Sequence, residues 1–588
     1  MENNVCQNCK KTFLPTPDEL EFYKKIQVPE PTFCSLCRFQ RRFMRRNERM
    51  LYSRTCSGSG KRIVSYFDDK VTFPVYSREY WYGDAWDGAD YGREYDFSKP
   101  FFEQFIELAK VAPRIQLWII NSTDSDYSNY CIDSKNCYLC FWAAGGNEDC
   151  MYSSYLVESL NCVDCDQINK CDRCYECFNC DTSYNCRYCV DSTNCRDAWF
   201  LADCYNCSDC FGCVGLKDQQ YCLYNVQYSK EDYRKKIEEL KLTERLNVSE
   251  FIALVAKLWD VFPKRYMHGR KTEDSSGDYA TNSSNCKDVF CITDCEDSSH
   301  LFATTGLTTC MDITASVKGG ELMYECHAVP KQNYNLRFCD LCSNGCTNLE
   351  YCSNCDSSSN LFGCIGMRKK EYCIFNKQYT KEEYEELVPK IRAHMNSMPL
   401  TDSGGRVYKY GEFFPPEASP FSYNETLAQE FFPLSKEDAE IQGFVWRELK
   451  EKNYGITVKP ADVPKTGEIP DGIVKEIIGC ANEGKGNHNC ATAFRITQNE
   501  LLFYRQNKLP LPTHCPNCRH HFRLQYRNNL GLRKRVCDCA GTSSTNGKHL
   551  NQGRHIHGSN PCGIEFETTY ADSEKIVYCE GCYQQEVA

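Results

Sequence analysis

Cys171-Asp-Arg-Cys174-Tyr-Glu-Cys177-Phe-Asn-Cys180, followed closely by Asn185-Cys186-Arg187-Tyr188-Cys189, belongs to a stretch from Cys150 to Cys222 that holds fifteen cysteines. They stand at 150, 162, 165, 171, 174, 177, 180, 186, 189, 195, 204, 207, 210, 213 and 222, and every number is divisible by three. Neither a helical period of 3.6 nor a strand period of 2 produces that phase. Short units repeated at fixed phase are the mark of a solenoid, in which each unit stacks on its neighbours. The stretch therefore predicts a cysteine-lined β-solenoid, running from about residue 121 to 228.

A second copy lies downstream. Residues 211–233 align with 362–384 at an offset of 151, with 12 of 23 positions identical. Phe211-Gly-Cys213 matches Phe362-Gly-Cys364, and Ser229-Lys-Glu-Asp-Tyr233 matches Thr380-Lys-Glu-Glu-Tyr384. The second solenoid is expected over about 278–379. Each copy closes with a capping-box helix start that shields its open end. Three uses compete for the central cysteines: buried apolar filling, metal clusters or disulfides. Leu361 and Ser358 stand where the first copy has Cys210 and Cys207. A filling slot accepts leucine and a ligand slot does not, so filling is the favoured reading.

The two ends carry a different cysteine pattern. Cys6-Gln-Asn-Cys9 and Cys34-Ser-Leu-Cys37 are CxxC knuckles, a spacing suited to tetrahedral zinc. Between them Thr16-Pro17-Asp18-Glu19 starts a short helix. Together with Phe13, Phe22, Tyr23, Pro31 and Arg38, these residues resemble the treble-clef zinc-ribbon domain of small bacterial proteins. The N-terminal match covers about 35 residues, and the resemblance as a whole covers the two ends, about a third of the chain; it implies zinc and no reaction.

Residues 9–56 recur at 490–537, with 19 of 48 identical and no gap. Cys34, Cys37, Arg38, Arg42 and Arg46 become Cys515, Cys518, Arg519, Arg523 and Arg527. Cys6 maps to Asn487, so Cys480 is the expected partner of Cys490, with His488 in reserve. A further site is expected from Cys562, Cys579 and Cys582, completed by Cys537 or Cys539, with His555 and His557 in reserve. The equivalent N-terminal positions are Ser77 and Tyr80, so that module is expected to keep one zinc, leaving Cys56 without a site. The aromatic run from Tyr80 to Phe97 would replace the missing ion by packing, with base stacking as the rival use. Three Zn2+ ions are predicted in all.

Arg38, Arg41, Arg42, Arg45, Arg46 and Arg49 follow the first knuckle at i, i+3, i+4, i+7, i+8 and i+11, one face of a helix. Glu48 is the only acid between Ser35 and Thr55. With Arg519, Arg523 and Arg527 this predicts a face for RNA or DNA phosphate. The competing reading docks the arginines internally. Charge allows both: residues 1–65 hold 13 Lys+Arg against 6 Asp+Glu, 480–557 hold 12 against 3, and 125–228 hold 6 against 15. The acidic solenoid could equally receive a protein partner.

The 588 residues divide, on this reading, into an N-terminal zinc-ribbon module (1–97), a helix with the first solenoid and its cap (98–240), a helical bridge with the second solenoid and its cap (241–391), a linker with one helix (392–472) and a C-terminal zinc-ribbon module (473–588). A helix is expected over 98–118, and another from Ser435 bearing Ile441, Phe444, Val445 and Leu449. The first residues carry no basic and apolar leader, and no apolar run is long enough for a membrane helix, so a cytoplasmic protein is expected. With 44 cysteines, a reducing compartment favours thiols and metal over disulfides. No phosphate loop, His-Glu-x-x-His pair or nucleophile elbow occurs. Asp126, Asp133, Asp191 and Asp209 read as solvated turn residues. The expectation is a non-catalytic zinc protein that contacts nucleic acid; the alternatives are an interaction scaffold with purely structural zinc, and a metal-storing or thiol-redox protein.

Overall fold

The triplet repeat becomes a backbone repeat. In the first solenoid one residue of each triplet bridges to the coil above, the next turns into the left-handed region, and the third points inward. Val163 bridges Tyr175, Asp164 has φ 55°, and Cys165 is buried. Left-handed backbone disfavours most L-residues and is tolerated best by Asn, Asp and Gly. That preference accounts for Asn185, Asp191, Asn194, Asp197 and Asn206 at this position. Asn179 and Asn185 also donate to Asp191 and Asp197, twelve residues on, at 2.7 and 2.6 Å. Four triplets close one coil, so Asp172 pairs with Tyr184 and Tyr184 with Arg196, all in parallel.

The molecule, a computed structural model describing residues 4–242, 244–316, 319–328, 333–448, 454–464, 469–486, 488–571 and 574–587, is mainly β, with these solenoids, few helices and cysteine clusters near both termini. Asn487 and Leu449 lie outside the described residues.

Inside the first solenoid the side chains stack coil on coil. One stack reads Cys162, Cys174, Cys186, Ala198, Cys210; the next Cys165, Cys177, Cys189, Leu201, Cys213; a third begins Ile168, Cys180, Ser192, Cys204. Cysteine thus shares its slots with Ala, Leu, Ile and Ser. Thiols fit there because S–H finds a carbonyl: Cys162 donates to Leu160 O at 3.2 Å and Cys171 O at 3.4 Å, and Cys186 to Cys195 O at 3.3 Å. The second solenoid repeats the scheme, with Leu361 and Ser358 buried in the inward positions.

Not every cysteine keeps the phase that begins at Cys150. Gly145 and Gly146, at φ 79° and 87°, add one residue to a coil, so Lys135 bridges Glu148 thirteen residues on. Cys131, Cys137 and Cys140 sit inward in the shifted phase.

The chain divides into two compact units, and neither follows the linear segmentation. The first unites residues 1–118, 267–447 and 530–532; the second unites 119–266, 448–529 and 533–588. In the first unit the N-terminal module packs on the second solenoid. The expected helix over 98–118 spans only Phe101–Ala109, because Pro113 denies it further turns, and Phe101 meets Tyr351 and Phe362 of that solenoid. The expected linker after 392 is largely folded: Tyr408, Phe413, Phe414 and Tyr423 are core, and Leu427 N donates to Arg46 O at 2.8 Å. The helix from Ser435 stops at Ile441, so Phe444 and Val445 fall beyond it; Phe444 stacks on Tyr423.

In the second unit the C-terminal module packs on the first solenoid. The bridge helix, Arg245–Val261, caps the same solenoid, with Phe251 against Phe200 and Phe211. A Cβ on Gly215, at φ 65°, would come within 2.1 Å of the Phe262 ring, so only glycine fits where the cap closes down. Lys264–Arg265 pairs in parallel with Val577–Tyr578.

Candidate metal centres

Each knuckle is built by a tight turn and a helix start. In the N-terminal module Cys6 N donates to Lys11 O and Lys10 N to Cys6 O, with Lys10 at φ 60°. Cys34 is the N-cap of helix Ser35–Phe43, which places Cys37 in its first turn. Cys515 caps Pro516–Arg523 and Cys579 caps Glu580–Glu586 in the same way. Helix N-termini favour thiolate over thiol.

Three four-cysteine groups result, each with its sulfurs within 4.8 Å of one another: Cys6, Cys9, Cys34, Cys37; Cys480, Cys490, Cys515, Cys518; and Cys537, Cys562, Cys579, Cys582. Individual separations include 3.7 Å for Cys9–Cys34, 3.5 Å for Cys515–Cys518 and 3.9 Å for Cys562–Cys579. Hydrogen bonds from Cys34 and Cys37 pull the Cys6 thiol well below its usual range. Cys480 and Cys518 do the same to Cys515, and Cys537 draws Cys579 down to about 5. All three groups can hold a metal ion. Four protein sulfurs leave no open coordination position, the arrangement of a structural site.

The reserve ligands fall in two places. His488 Nε2 lies 3.2 Å from Cys518 Sγ, while Cys480 completes the quartet. Cys539, His555 and His557 gather with Cys582 in a fourth group, so Cys582 belongs to two. No sulfur of either solenoid enters a metal-capable group among the described residues. None of the 44 cysteines is disulfide-bonded.

Cys56 is the N-terminal counterpart of Cys537. Its sulfur accepts from Ser77 N at 3.1 Å, as Cys537 accepts from Cys579 N at 3.2 Å. Where the C-terminal module has its last knuckle, Ser77 caps helix Arg78–Tyr82 and Trp81 packs on Trp86 at 4.6 Å. Tyr82 and Phe97 from the same aromatic run stay exposed.

The arginines do not form an open phosphate face. Helix Ser35–Phe43 ends before the stripe does, and the side chains turn inward. Arg38, Arg41, Arg42, Arg45 and Arg46 are buried, and Arg49 is half-buried. Arg38 and Arg42 share Asp312 at 2.9 and 2.8 Å. Arg41 bridges Glu325 and Glu412 at 2.6 and 2.8 Å, and Arg45 holds Asp340 at 2.6 Å. In the second unit Arg519 and Arg523 reach Asp164 at 3.3 and 3.0 Å, and Arg527 reaches Asp166 at 3.1 Å. All of these acids but Glu412 come from the solenoids, where Asp164, Asp166 and Asp312 are themselves buried. Seven of the nine arginines thus face protein carboxylates rather than solvent, and for Arg42 and Arg519 these come from more than 250 residues away; Arg46 pairs locally with Glu48, and Arg49 stays half-buried.

The acids involved went unnoticed in the sequence because they look like ordinary solenoid residues: Asp164, Asp312 and Glu325 are left-handed at φ 55°, 60° and 47°, and Asp166 and Asp340 sit at bridging positions. The capping-box glutamates also have a second task. Glu19 meets His300 at 2.5 Å and Glu500 accepts from Tyr152 at 2.7 Å. No protein-family model matches the chain, and no curated protein sequence matches it.

Proposed function

We propose that this protein is a non-catalytic interaction scaffold, in which Zn2+ at the three four-cysteine groups acts structurally and the terminal modules are zinc ribbons of the treble-clef kind. One observation carries the reading: each arginine helix begins on a metal-capable knuckle and ends in buried ion pairs with a solenoid. The ion sets the helix, and the helix fastens the module to the solenoid. The guanidinium groups are spent on protein carboxylates, which leaves the acidic outer ladders, such as Asn185–Asp197 and Asn206–Asp218, to meet a protein partner. Structural zinc contributes roughly 10–16 kcal/mol in small peptides, enough to govern such a joint.

Chelation tests this. Purified full-length protein should carry zinc, and its removal should expose residues 34–46 and 515–527 to hydrogen exchange while the solenoid amides stay protected. Unchanged protection at both helices after complete zinc removal would refute the structural role. Full-length protein titrated with a generic nucleic acid at low salt should show no strongly salt-dependent binding.

A further inference from the structure

Seven side chains surround the last knuckle of the C-terminal module, where a single tetrahedral ion needs four. Cys537, Cys562, Cys579 and Cys582 make one group; Cys539, His555, His557 and Cys582 make another, also within 4.8 Å. Two tetrahedral ions sharing one ligand need seven donors, and seven are present. We infer that the C-terminal module holds a binuclear centre, with a second divalent ion of the zinc class on Cys539, His555 and His557 and the Cys582 thiolate bridging both ions.

The imidazoles are oriented for this. His555 Nε2 lies 2.8 Å from the Glu586 carboxylate, which turns Nδ1 toward Cys539 at 3.4 Å. Nδ1 of His557 lies 2.5 Å from Asn560 O, which turns Nε2 toward Cys582 at 3.2 Å. In each ring one nitrogen faces an oxygen acceptor and the other faces a sulfur, the arrangement by which outer partners fix a metal-binding tautomer. Glu586 is itself anchored by His549 and by the Gln552 and Gly553 amides. A Cβ on Gly541 would come within 2.4 Å of Gly558 O, so the loops bearing Cys539 and the histidines close on each other through a glycine. Cys539, His555 and Cys582 are buried.

Charge favours the pair. Four thiolates around one divalent ion carry a net −2. A second divalent ion adds one thiolate and two neutral imidazoles, releases one thiol proton from Cys539 to solvent, and brings the centre to −1.

This inference rests on the terminal sites being zinc centres, and the test separates the two. Zinc is counted on full-length protein by native mass spectrometry, and differences between variants are read so that ions held elsewhere cancel. Cys539→Ala and His555→Ala should each lose one ion, and Cys579→Ala should lose at least one. The 113Cd-substituted protein should give two mutually coupled resonances that collapse in either of the first two variants. Full ion content in both Cys539→Ala and His555→Ala, or two uncoupled resonances, would overturn the shared centre and leave the zincs of the four-cysteine groups standing. No loss in Cys579→Ala would remove the zinc reading itself.

Discussion

Arg42 has no measurable exposure, and its guanidinium faces Asp312, Thr314 and Glu325. Removing one member of a buried ion pair leaves the other charge uncompensated. Arg42→Met should therefore destabilise the first unit by about 3–5 kcal/mol, as for one half of a buried ion pair. Adding Asp312→Asn should deepen that loss, because Asp312 also holds the buried Arg38 at 2.9 Å; differential scanning calorimetry reads both. His300 offers a second handle. Burial works against its charge, but Asp288 and Glu19 raise it from the ordinary 6.5 to about 9. A raised pKa means that its contribution is complete below about 6.5 and is lost as pH climbs through 9. Melting temperature should fall between those values, and His300→Gln should flatten that limb. The CxxC halves of the cysteine quartets were legible because that spacing is local, while Cys480 with Cys490 and Cys537 with Cys562 lie outside it. The arginine partners were not, because nothing near residue 42 points to residue 312.

At the scale of the element, the solenoid was legible from phase alone, and so was the filling role of its thiols, through Leu361 and Ser358. The stacks in which Cys186 lies on Ala198 and Cys189 on Leu201 make the same point within one copy. Cys186→Ala should consequently leave the metal content unchanged and cost about 1 kcal/mol for the small void. A lost metal equivalent would mean that sulfur is a ligand after all. The phase argument stopped at Cys150 because the glycine pair at 145–146 inserts one residue, which shifts the count without disturbing the coil. Helix ends were the weakest reading. Apolar spacing continued past Ala109 and Ile441, but Pro113 and Gly443 bound what the backbone can do.

For the whole molecule, the two compact units differ from the segments drawn along the chain because contact between distant parts cannot be read from order. Buried acids and aromatic contacts, such as Phe101 on Tyr351, join each module to its solenoid. Expressed fragment 1–240 contains a module and the neighbouring solenoid but the complete set for neither unit. It should lack the cooperative melting of full-length protein, whereas 1–118 co-expressed with 267–447 should associate and restore protection to Arg38–Arg46. Failure of that pair to associate would contradict the division into units.

The interleaved connectivity has a consequence on the ribosome. The N-terminal arginine helix emerges early, yet Asp312, Glu325 and Glu412 follow only after some 270 to 370 further residues have been translated. At about 5–20 residues per second that delay lasts on the order of tens of seconds. Throughout it Arg41 and Arg42 lack the carboxylates that bury them in the folded first unit.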